Sequence, residues 1–433
     1  MSTAARPEPL AWYRSAFDAV RPRANVTEAT RVAAFGRFVE LGFPAAREEA
    51  WKYTSLRRLE TRAFALPEHA GEAAALPQAM AESTVVIVNG ALQPAASTLD
   101  SLPEGVRVRT LAQVEGGGEP LAPLLRVPAG GGTERFVALN AALCPDVVLI
   151  DVDAGARPAT ALHVVVAATG ASPTMSHPRI VVRVATGSEA RIVLHHTGDD
   201  AVERFANSYV DVEVAADAVL HLYRLQVQGG RSFLIERIDA TVGQRGRFVL
   251  HDAQLGGSLA RLDLNARLAA PGAAAELTGL FVADGTRHLD THARVDHIAP
   301  DTRSLLDYRG VAAGRGRAVF NGKAVVHEGA QKSQARQTSR NLLLSPGAEI
   351  DAKPELEIHA DDVQCSHGAT TGQLDPAALF YLRSRGLDEQ QARSALTRAF
   401  AGAVLSRMDL PRFAAAVHEV LDDRLARLLE TAA

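Results

Sequence analysis

The sequence predicts a mainly β protein, built around a parallel β-helix with helical regions at both ends. Three observations support this class. Between about residues 160 and 370, short runs of Val, Ile and Leu alternate with Gly, Asp and Asn, and helical periodicity is missing. The strands in this range recur at a nearly fixed interval. The segments before and after it carry apolar residues at helical spacing instead.

The repeat is the observation that selects the β-helix. Apolar strands begin near Ile192, Leu220, Phe248, Leu277 and Leu305, a nearly constant step of about 28 residues. A fixed period of this size is typical of stacked coils, each of which buries its inner face only against its neighbours. A β-sandwich is the alternative, since its strands also recur at short intervals. A sandwich is not expected to keep so constant a step through five strands.

The changes of pattern along the chain predict four regions. Pro44 interrupts the apolar helical spacing near the start, and strand-like runs occur at 83–90 and 146–155 before the repeat begins. The predicted regions are an N-terminal helical region (1–60), a mixed connecting region (61–159), the parallel β-helix core (160–372) and a C-terminal helical domain (373–433).

The last region reads as three helices. Asp375-Pro376 is typical of a helix start, Asp388 with Gln391 forms a capping-box pattern, and a third helix begins after Leu410. We expect this tail to cover the open end of the stack, because unpaired strand edges invite aggregation. Its apolar stripe could also be presented to a partner.

Composition limits the cell biology and the partners. The net charge is −4 with acids and bases mixed along the chain, which predicts binding to neither nucleic acid nor an anionic membrane. Cys144 and Cys365 are the only cysteines, so we expect a reducing compartment and no disulfide framework. The first residues show no secretory pattern and no run is long enough to span a membrane. We therefore predict a cytoplasmic protein.

A histidine-rich segment, RHLDTHARVDHIAPDT (287–302), offers one candidate site. On a helix, His288 and His292 would share a face, as zinc ligands often do. The segment reads as a strand, however, and there these residues lie about 13 Å apart while His297 falls on the opposite face. A zinc-dependent or β-helix hydrolase using His288, His292 and His297 is thus the alternative function, and strand geometry argues against it.

The segment DDVQCSHGATTG (361–372) offers another candidate. Cys365 and His367 are potential metal ligands, and on a strand they point to one face about 6–7 Å apart. That separation does not favour chelation by these two residues alone, although both could face an incoming partner. A structural cysteine beside a surface histidine is the commoner role for such a pair.

Further histidines follow the repeat without forming a recognisable motif. We expect most of them to be ordinary surface residues; they are His195, His196, His221, His251, His327 and His359. The Gly-rich stretch GRGRAVFNGK (314–323) lacks the spacing of a phosphate-binding loop. No nucleophile elbow or dinucleotide fingerprint is present either.

Three long segments resemble the SufB/SufD family of iron–sulfur cluster assembly proteins. They are PAAREEAWKYTSLRRL (44–59), DHIAPDTRSLLDYRGV (296–311) and the stretch from FNGKAVVHEGAQ to GLDEQQAR (320–393). The segment ADDVQCSHGAT (360–370) is similar to the SufD form. SufB-type chains carry a cysteine where this chain has SPGAEIDAKPELEI (345–358).

The resemblance implies a right-handed parallel β-helix and a non-catalytic scaffold in a SufB–SufC–SufD complex. It implies pairing with SufB through the β-helical cores, or a homodimer when SufB is absent. His367 matches the family's candidate cluster-site histidine, and Cys365 matches a neighbouring cysteine. A nascent iron–sulfur cluster would be shared with SufB, and the isolated chain would carry no cofactor. The C-terminal helices would dock the SufC ATPase, with candidate contacts at Phe380, Phe400, Val417, Leu421 and Leu425.

Overall fold

The predicted β-helix is present. The structure is a computed structural model that describes residues 10–20, 27–67 and 76–430. Its centre is a β-solenoid of about eight turns, formed by two long sheets of ten strands each. Apart from the antiparallel pairs at the start of each sheet, all neighbouring strands are parallel. No helix within the described ranges is long and apolar enough to cross a membrane.

Sheet I forms one wall of the solenoid. Its strands, in spatial order, are β2 (Ala91–Leu92), β1 (Ser83–Val88), β5 (Leu162–Ala167), β8 (Glu189–Thr197), β10 (Val219–Gln226), β12 (Arg247–Gln254), β14 (Ala274–Ala283), β16 (Arg303–Ala312), β18 (Gln334–Leu343) and β20 (Gln364–Gly372).

Sheet II forms the opposite wall. Its strands, in spatial order, are β19 (Glu349–Ile358), β17 (Arg317–Val326), β15 (His288–His297), β13 (Leu259–Leu268), β11 (Ser232–Val242), β9 (Arg204–Val214), β7 (Arg179–Val184), β4 (Val148–Val152) and β3 (Val106–Arg109), and β6 (Thr174–Ser176) pairs with β9 as well.

The interior is filled by rows of side chains that repeat from coil to coil. In sheet I, Leu222, Leu250, Leu277 and Leu306 occupy one row in direct register. Each of them is at most 1% exposed. Because alternate residues of a strand point to the same face, each row is buried only by stacking on the next coil.

The strand register confirms the repeat but corrects its step. Leu220 pairs with Phe248, as the predicted step requires. Ile192, however, pairs with Leu222 rather than with Leu220, and Leu277 pairs with Leu306 rather than with Leu305. The length of a coil therefore varies because its corners absorb extra residues, whereas the paired strands stay in register.

The N-terminal helices cover the outer face of sheet II. Tyr13, Phe38, Trp51 and Phe136 form one buried cluster with Phe205 and Phe233 of that sheet and with neighbouring apolar residues. The helices of this half are α1 (Ala11–Val20), α2 (Glu28–Leu41), α3 (Arg57–Glu60), α4 (Leu111–Gly116) and α5 (Glu134–Leu143). The connecting region also joins the solenoid, since β1 pairs with β5 and β4 pairs with β7.

The C-terminal helices cover the outer face of sheet I. They are α6 (Pro376–Ser384), α7 (Glu389–Leu405) and α8 (Pro411–Glu430). Phe413 and Leu421 are buried with Tyr223, Leu280 and Val311 of the sheet. The expectation that this tail covers the open end of the stack is wrong. The helices turn back along the flank because the sheet presents an outward apolar face there. Of the last strands, β19 is half-buried along most of its length and β20 is mostly exposed.

The close stacking of coils gives a test of the fold. A Cβ atom added to Gly279 of β14 would lie 2.2 Å from the ring of the buried Tyr308 in β16. Gly279→Ala should therefore lower the free energy of unfolding by about 1–3 kcal/mol, the usual effect of overpacking. Urea unfolding followed by circular dichroism measures the change.

Gly36→Ala is the matched control. This glycine lies in α2, and no atom lies within 4 Å of an added Cβ. The same substitution should there raise stability by about 0.5–1 kcal/mol through the better helix propensity of alanine. Equal effects at the two positions would contradict the register given for β14 and β16.

Candidate functional site

The two predicted ligands lie on the last strand of sheet I. Cys365 of β20 is in register with Ala335 of β18, and His367 is in register with Gln337 of the same neighbouring strand. Ala335 and Gln337 are both 2% exposed and point into the solenoid. Side chains in register share a face, so Cys365 and His367 also point along the interior. Cys365 is half-buried and His367 is exposed, because no further coil covers them.

The last strand of sheet II opens in the same way. Ile350, Leu356 and Ile358 of β19 are in register with buried residues of β17, and Ile358 is 43% exposed. We call the inward side chains of these two strands the open end; they are Ile350, Leu356, Ile358, Cys365 and His367. At the open end, side chains of the interior rows have no further coil to cover them.

The chemistry of Cys365 and His367 is incomplete within one chain. Burial raises the pKa of the Cys365 thiol, so a bound metal would have to displace its proton. Two ligands are fewer than the four that an iron–sulfur cluster ordinarily takes. Among the described residues, the one group of three potential ligands with mutually close atoms is His221, His251 and Asp409, far back along the solenoid. Within the described ranges, these two side chains alone do not complete such a ligand set.

A groove with arginine side chains runs along sheet I as far as Cys365. It crosses the amino-terminal ends of the sheet I strands and includes Arg247, Arg303 and Arg336 before it reaches Cys365. A second depression beside His367 includes Arg336 and Arg340. Arg336 is in register with Ser366, so the arginine side chains lie on the outer face of the strands, whereas Cys365 and His367 point along the interior. The groove also includes Glu276.

The histidine-rich segment forms β15, as predicted, and its histidines do not converge. His288 Nε2 lies 2.8 Å from Thr54 Oγ1, and His292 Nε2 lies 3.0 Å from Asp290 Oδ1. Burial lowers the pKa of His288. Asp290 also accepts a hydrogen bond from Arg261, 2.7 Å away. These side chains attach the N-terminal region to sheet II and form no metal centre.

His297 lies on the opposite face of β15, as predicted. Its ring is buried between the hydroxyl groups of Thr302 and Ser304, each 2.8 Å from a ring nitrogen. Burial lowers the pKa of His297 to about 4. The geometry therefore contradicts a hydrolase that would use His288, His292 and His297 together.

The prediction that the remaining histidines are mostly surface residues is wrong. His195, His196 and His251 are buried, His221 and His327 are half-buried, and only His359 of the six is exposed. His196 lies in an interior row of the solenoid, where it is paired with Glu236. His195 and His251 lie on the outer face of sheet I, in register with Leu225 and Tyr223 of the apolar cluster that the C-terminal helices cover.

One buried network shows how this pairing works. Glu236 forms a hydrogen bond with His196 at 2.7 Å and accepts one from Arg224 at 2.5 Å. Arg224 also donates a hydrogen bond to Asp252 at 2.7 Å. Although burial opposes ionisation, the neighbouring His196 and Arg224 hold the pKa of Glu236 well below its usual range.

Three of the five predicted partner contacts are inaccessible in this chain. Val417, Leu421 and Leu425 are at most 1% exposed and pack against sheet I of their own chain. Their stripe is the apolar face of α8, which the solenoid itself covers. Phe400 is half-buried under the guanidinium group of Arg309, 4.9 Å from the ring centre.

The fifth predicted contact is accessible. Phe380 of α6 is 75% exposed, and its neighbour Tyr381, which the sequence analysis did not select, is 57% exposed. No residue of α6 is buried. The exposure of these two adjacent aromatic side chains could be found only from the structure.

Comparison with known proteins covers nearly the whole chain. Residues 165–400 match the family model of the SUF system FeS cluster assembly SufBD core domain, and residues 10–164 match the SufBD protein N-terminal region. The chain belongs to the SufBD family. Membership places it in SUF-system iron–sulfur cluster assembly.

Curated relatives agree with this assignment. The SufBD-family chain is 30% identical to the iron–sulfur cluster assembly protein SufD of Escherichia coli over 84% of its own length and 85% of that protein. It is 31% identical to a SufBD family protein of Synechocystis, over 86% and 85% of the two chains. It is also 31% identical to the chloroplastic protein ABCI7 of Arabidopsis thaliana, over 63% and 59%.

The buried His297 predicts a measurable pH dependence of stability. Its pKa is about 4 in the folded protein and near 6.5 in an unfolded chain, so the unfolded state binds more protons between these values. The contribution of His297 is complete above about pH 6.5 and is lost as the pH falls towards about 4. His297→Gln should therefore flatten the slope of unfolding free energy against pH in this window by up to about 1.4 kcal/mol per pH unit.

Urea unfolding at a series of pH values measures this slope. His418→Gln is the control, because His418 is exposed on α8 and should leave the slope unchanged. An identical slope for wild type and His297→Gln would show that His297 is not buried as a neutral ring.

Proposed function

We propose that this chain is a scaffold subunit that pairs with SufB through its open end and holds a nascent iron–sulfur cluster at the junction. The observation that carries the proposal is the uncovered interior of the last coil, where Cys365 and His367 stand among apolar side chains. The chain would supply part of a shared site, and the SufC ATPase would supply the hydrolysis of ATP. No catalytic role is assigned to this chain.

Pairing at the open end is supported by backbone and side-chain chemistry together. β19 and β20 each have a strand neighbour on one side only, so each presents free N–H and C=O groups along its other edge. The apolar side chains of β19 lie beside those edges. A second β-helix offers strands and an apolar layer at once. SufB is the proposed partner because the resemblance is to a family whose two members pair. In its absence a second copy of this chain has the same complementary features.

The cluster is cargo in this proposal, not a resident cofactor. Cys365 and His367 offer one sulfur and one nitrogen ligand, and SufB would supply the others. A site divided between two subunits also permits release, because separation of the subunits removes half of the ligands.

The SufC contact is proposed at α6. The buried stripe of α8 is unavailable, whereas Phe380 and Tyr381 are exposed side by side. Large aromatic residues are enriched at the centres of protein interfaces. A groove between α6, α7 and the end of β18 lies beside them and includes Leu344, Pro346, Leu374 and Leu379.

The first prediction from this proposal concerns the cluster. In a complex co-expressed with SufB and SufC, His367→Ala should reduce cluster formation by more than the ~10-fold typical of outer-shell changes, because one direct ligand is removed. Absorption and iron content after anaerobic reconstitution measure the effect. Cys365→Ser should show a loss in the same direction.

Ser366→Ala is the control for this experiment. Ser366 lies between the two ligands on β20 and points to the other face of the strand. The complex with Ser366→Ala should form clusters at the wild-type level. Wild-type cluster levels in an assembled His367→Ala complex would rule out His367 as a ligand.

The second prediction concerns SufC. Phe380→Ala should weaken SufC binding by about 30-fold, the effect of losing an interface side chain worth about 2 kcal/mol. Leu76→Ala, which changes another exposed apolar residue, should leave the affinity unchanged. Calorimetry with purified SufC measures both. If the two variants bound SufC equally well, the docking surface would have to lie elsewhere.

A further inference from the structure

Three potential metal ligands meet on the flank of the solenoid, away from the open end. His221 of β10 and His251 of β12 project from the outer face of sheet I. Asp409 lies above them, in the corner between α7 and α8. One ligand atom from each residue can be chosen so that all three lie within 4.8 Å of one another. The residues are half-buried, buried and exposed, in that order.

Hydrogen bonds fix His251 in the tautomer that leaves Nε2 free to bind a metal. The Thr278 hydroxyl donates to the carbonyl oxygen of Leu250 at 3.2 Å, so its oxygen is free to accept from His251 Nδ1, 2.9 Å away. With its proton on Nδ1, the ring carries a lone pair on Nε2. Metal-binding histidines are typically oriented by such a partner on the second nitrogen.

His221 has a nitrogen that needs a partner. Its Nδ1 atom is buried and has no hydrogen-bond partner among the described residues. Such a group is unfavourable unless a water, an ion or a proton donor satisfies it.

Tyr223 organises the cluster. Its ring stacks against both histidines, with ring centres 6.4 Å from His221 and 5.1 Å from His251. Its hydroxyl group donates a hydrogen bond to Oδ1 of Asp409. This contact ties the carboxylate of Asp409 to the ring that stacks on both histidines.

Three arginine side chains lie near the cluster, and two of them are paired with other carboxylates. Arg191 lies 2.9 Å from Glu189, and Arg407 lies 3.3 Å from Asp307. The third is Arg247, near His221. Arg191 also acts on Asp409, so an ion bound here would share this carboxylate with Arg191.

We infer that His221, His251 and Asp409 form a binding site for one divalent ion of the zinc type. Two imidazole nitrogens and one carboxylate oxygen are a ligand set that Zn²⁺ accepts, with a fourth position left to water. At Zn–N distances of about 2.0–2.1 Å, ligand atoms lie about 3.4 Å apart. The half-buried His221 and the exposed Asp409 would have to close the remaining gap of about 1.4 Å, which small side-chain rotations provide.

The bound ion would fasten the corner of the C-terminal helices to the solenoid. Asp409 belongs to the α7–α8 connection, whereas both histidines belong to sheet I. The ion therefore bridges two parts of the fold that are otherwise joined here by apolar packing and the Tyr223–Asp409 bond. The site is independent of the open end, and it replaces the expectation that the isolated chain carries no metal.

The test uses the full-length chain without a polyhistidine tag, first stripped with a chelator. Titration calorimetry with Zn²⁺, and with Co²⁺ as an absorbing substitute, should give one site per chain, and Zn²⁺ should raise the thermal unfolding midpoint. Asp409→Asn and His221→Gln should each lose this site. Both positions are accessible, so the variants should remain folded. Thr278→Val should keep the fold and weaken binding about 10–100-fold by freeing the His251 ring.

A Cys365→Ser/His367→Ala double variant separates this site from the open end. It should bind one Zn²⁺ with wild-type affinity. Absence of Zn²⁺ binding by the wild-type chain would overturn the inference. So would a site that survives Asp409→Asn and His221→Gln, or one that disappears in the double variant. Failure of the cluster proposal, by contrast, would leave all of these results unchanged.

Discussion

A coil of this solenoid can bury its inward side chains only against another coil. Rows such as Leu222, Leu250, Leu277 and Leu306 are excluded from water because each member has a neighbour on both sides. The last coil has a neighbour on one side only. Its inward residues on β19 and β20 are consequently half-buried or exposed, although they continue the interior rows of their sheets. Cys365 and His367 lie in those rows, so the absence of a covering coil leaves two potential metal ligands accessible.

The two helical regions restrict where partners can bind. The N-terminal helices cover the outer face of sheet II, and α7 and α8 cover the outer face of sheet I. Strands covered on both faces, such as β11 and β12, are buried along most of their length. The end of the stack and the exposed helix α6 therefore stand out as surfaces with unsatisfied chemistry. The first has strand edges and apolar side chains, and the second has two aromatic rings.

The repeat was visible in the sequence because parallel register imposes it, as the pairing of Leu220 with Phe248 illustrates. The pair Cys365 and His367 was visible because alternation places residues two apart on one face. Burial was not visible. The stripe containing Leu421 is amphipathic whether its cover is a partner or the same chain, and the chain provides the cover. Histidines such as His196 looked like surface residues because their partners, here Glu236, lie one or more coils away.

The same long-range pairing explains why the cluster of His221, His251 and Asp409 has no sequence signature. Its members are brought together by the sheet register and by the return of the helices along the flank.

The most direct test of SufB pairing at the open end is hydrogen–deuterium exchange of this chain, alone and with SufB from the same organism. Pairing through the open end predicts that the backbone amides of β19 and β20 exchange rapidly in the isolated chain and slow strongly when SufB is added. The amides of β10 to β14 should change little. Unchanged exchange in β19 and β20, together with protection of another surface by SufB, would contradict the proposed scaffold geometry.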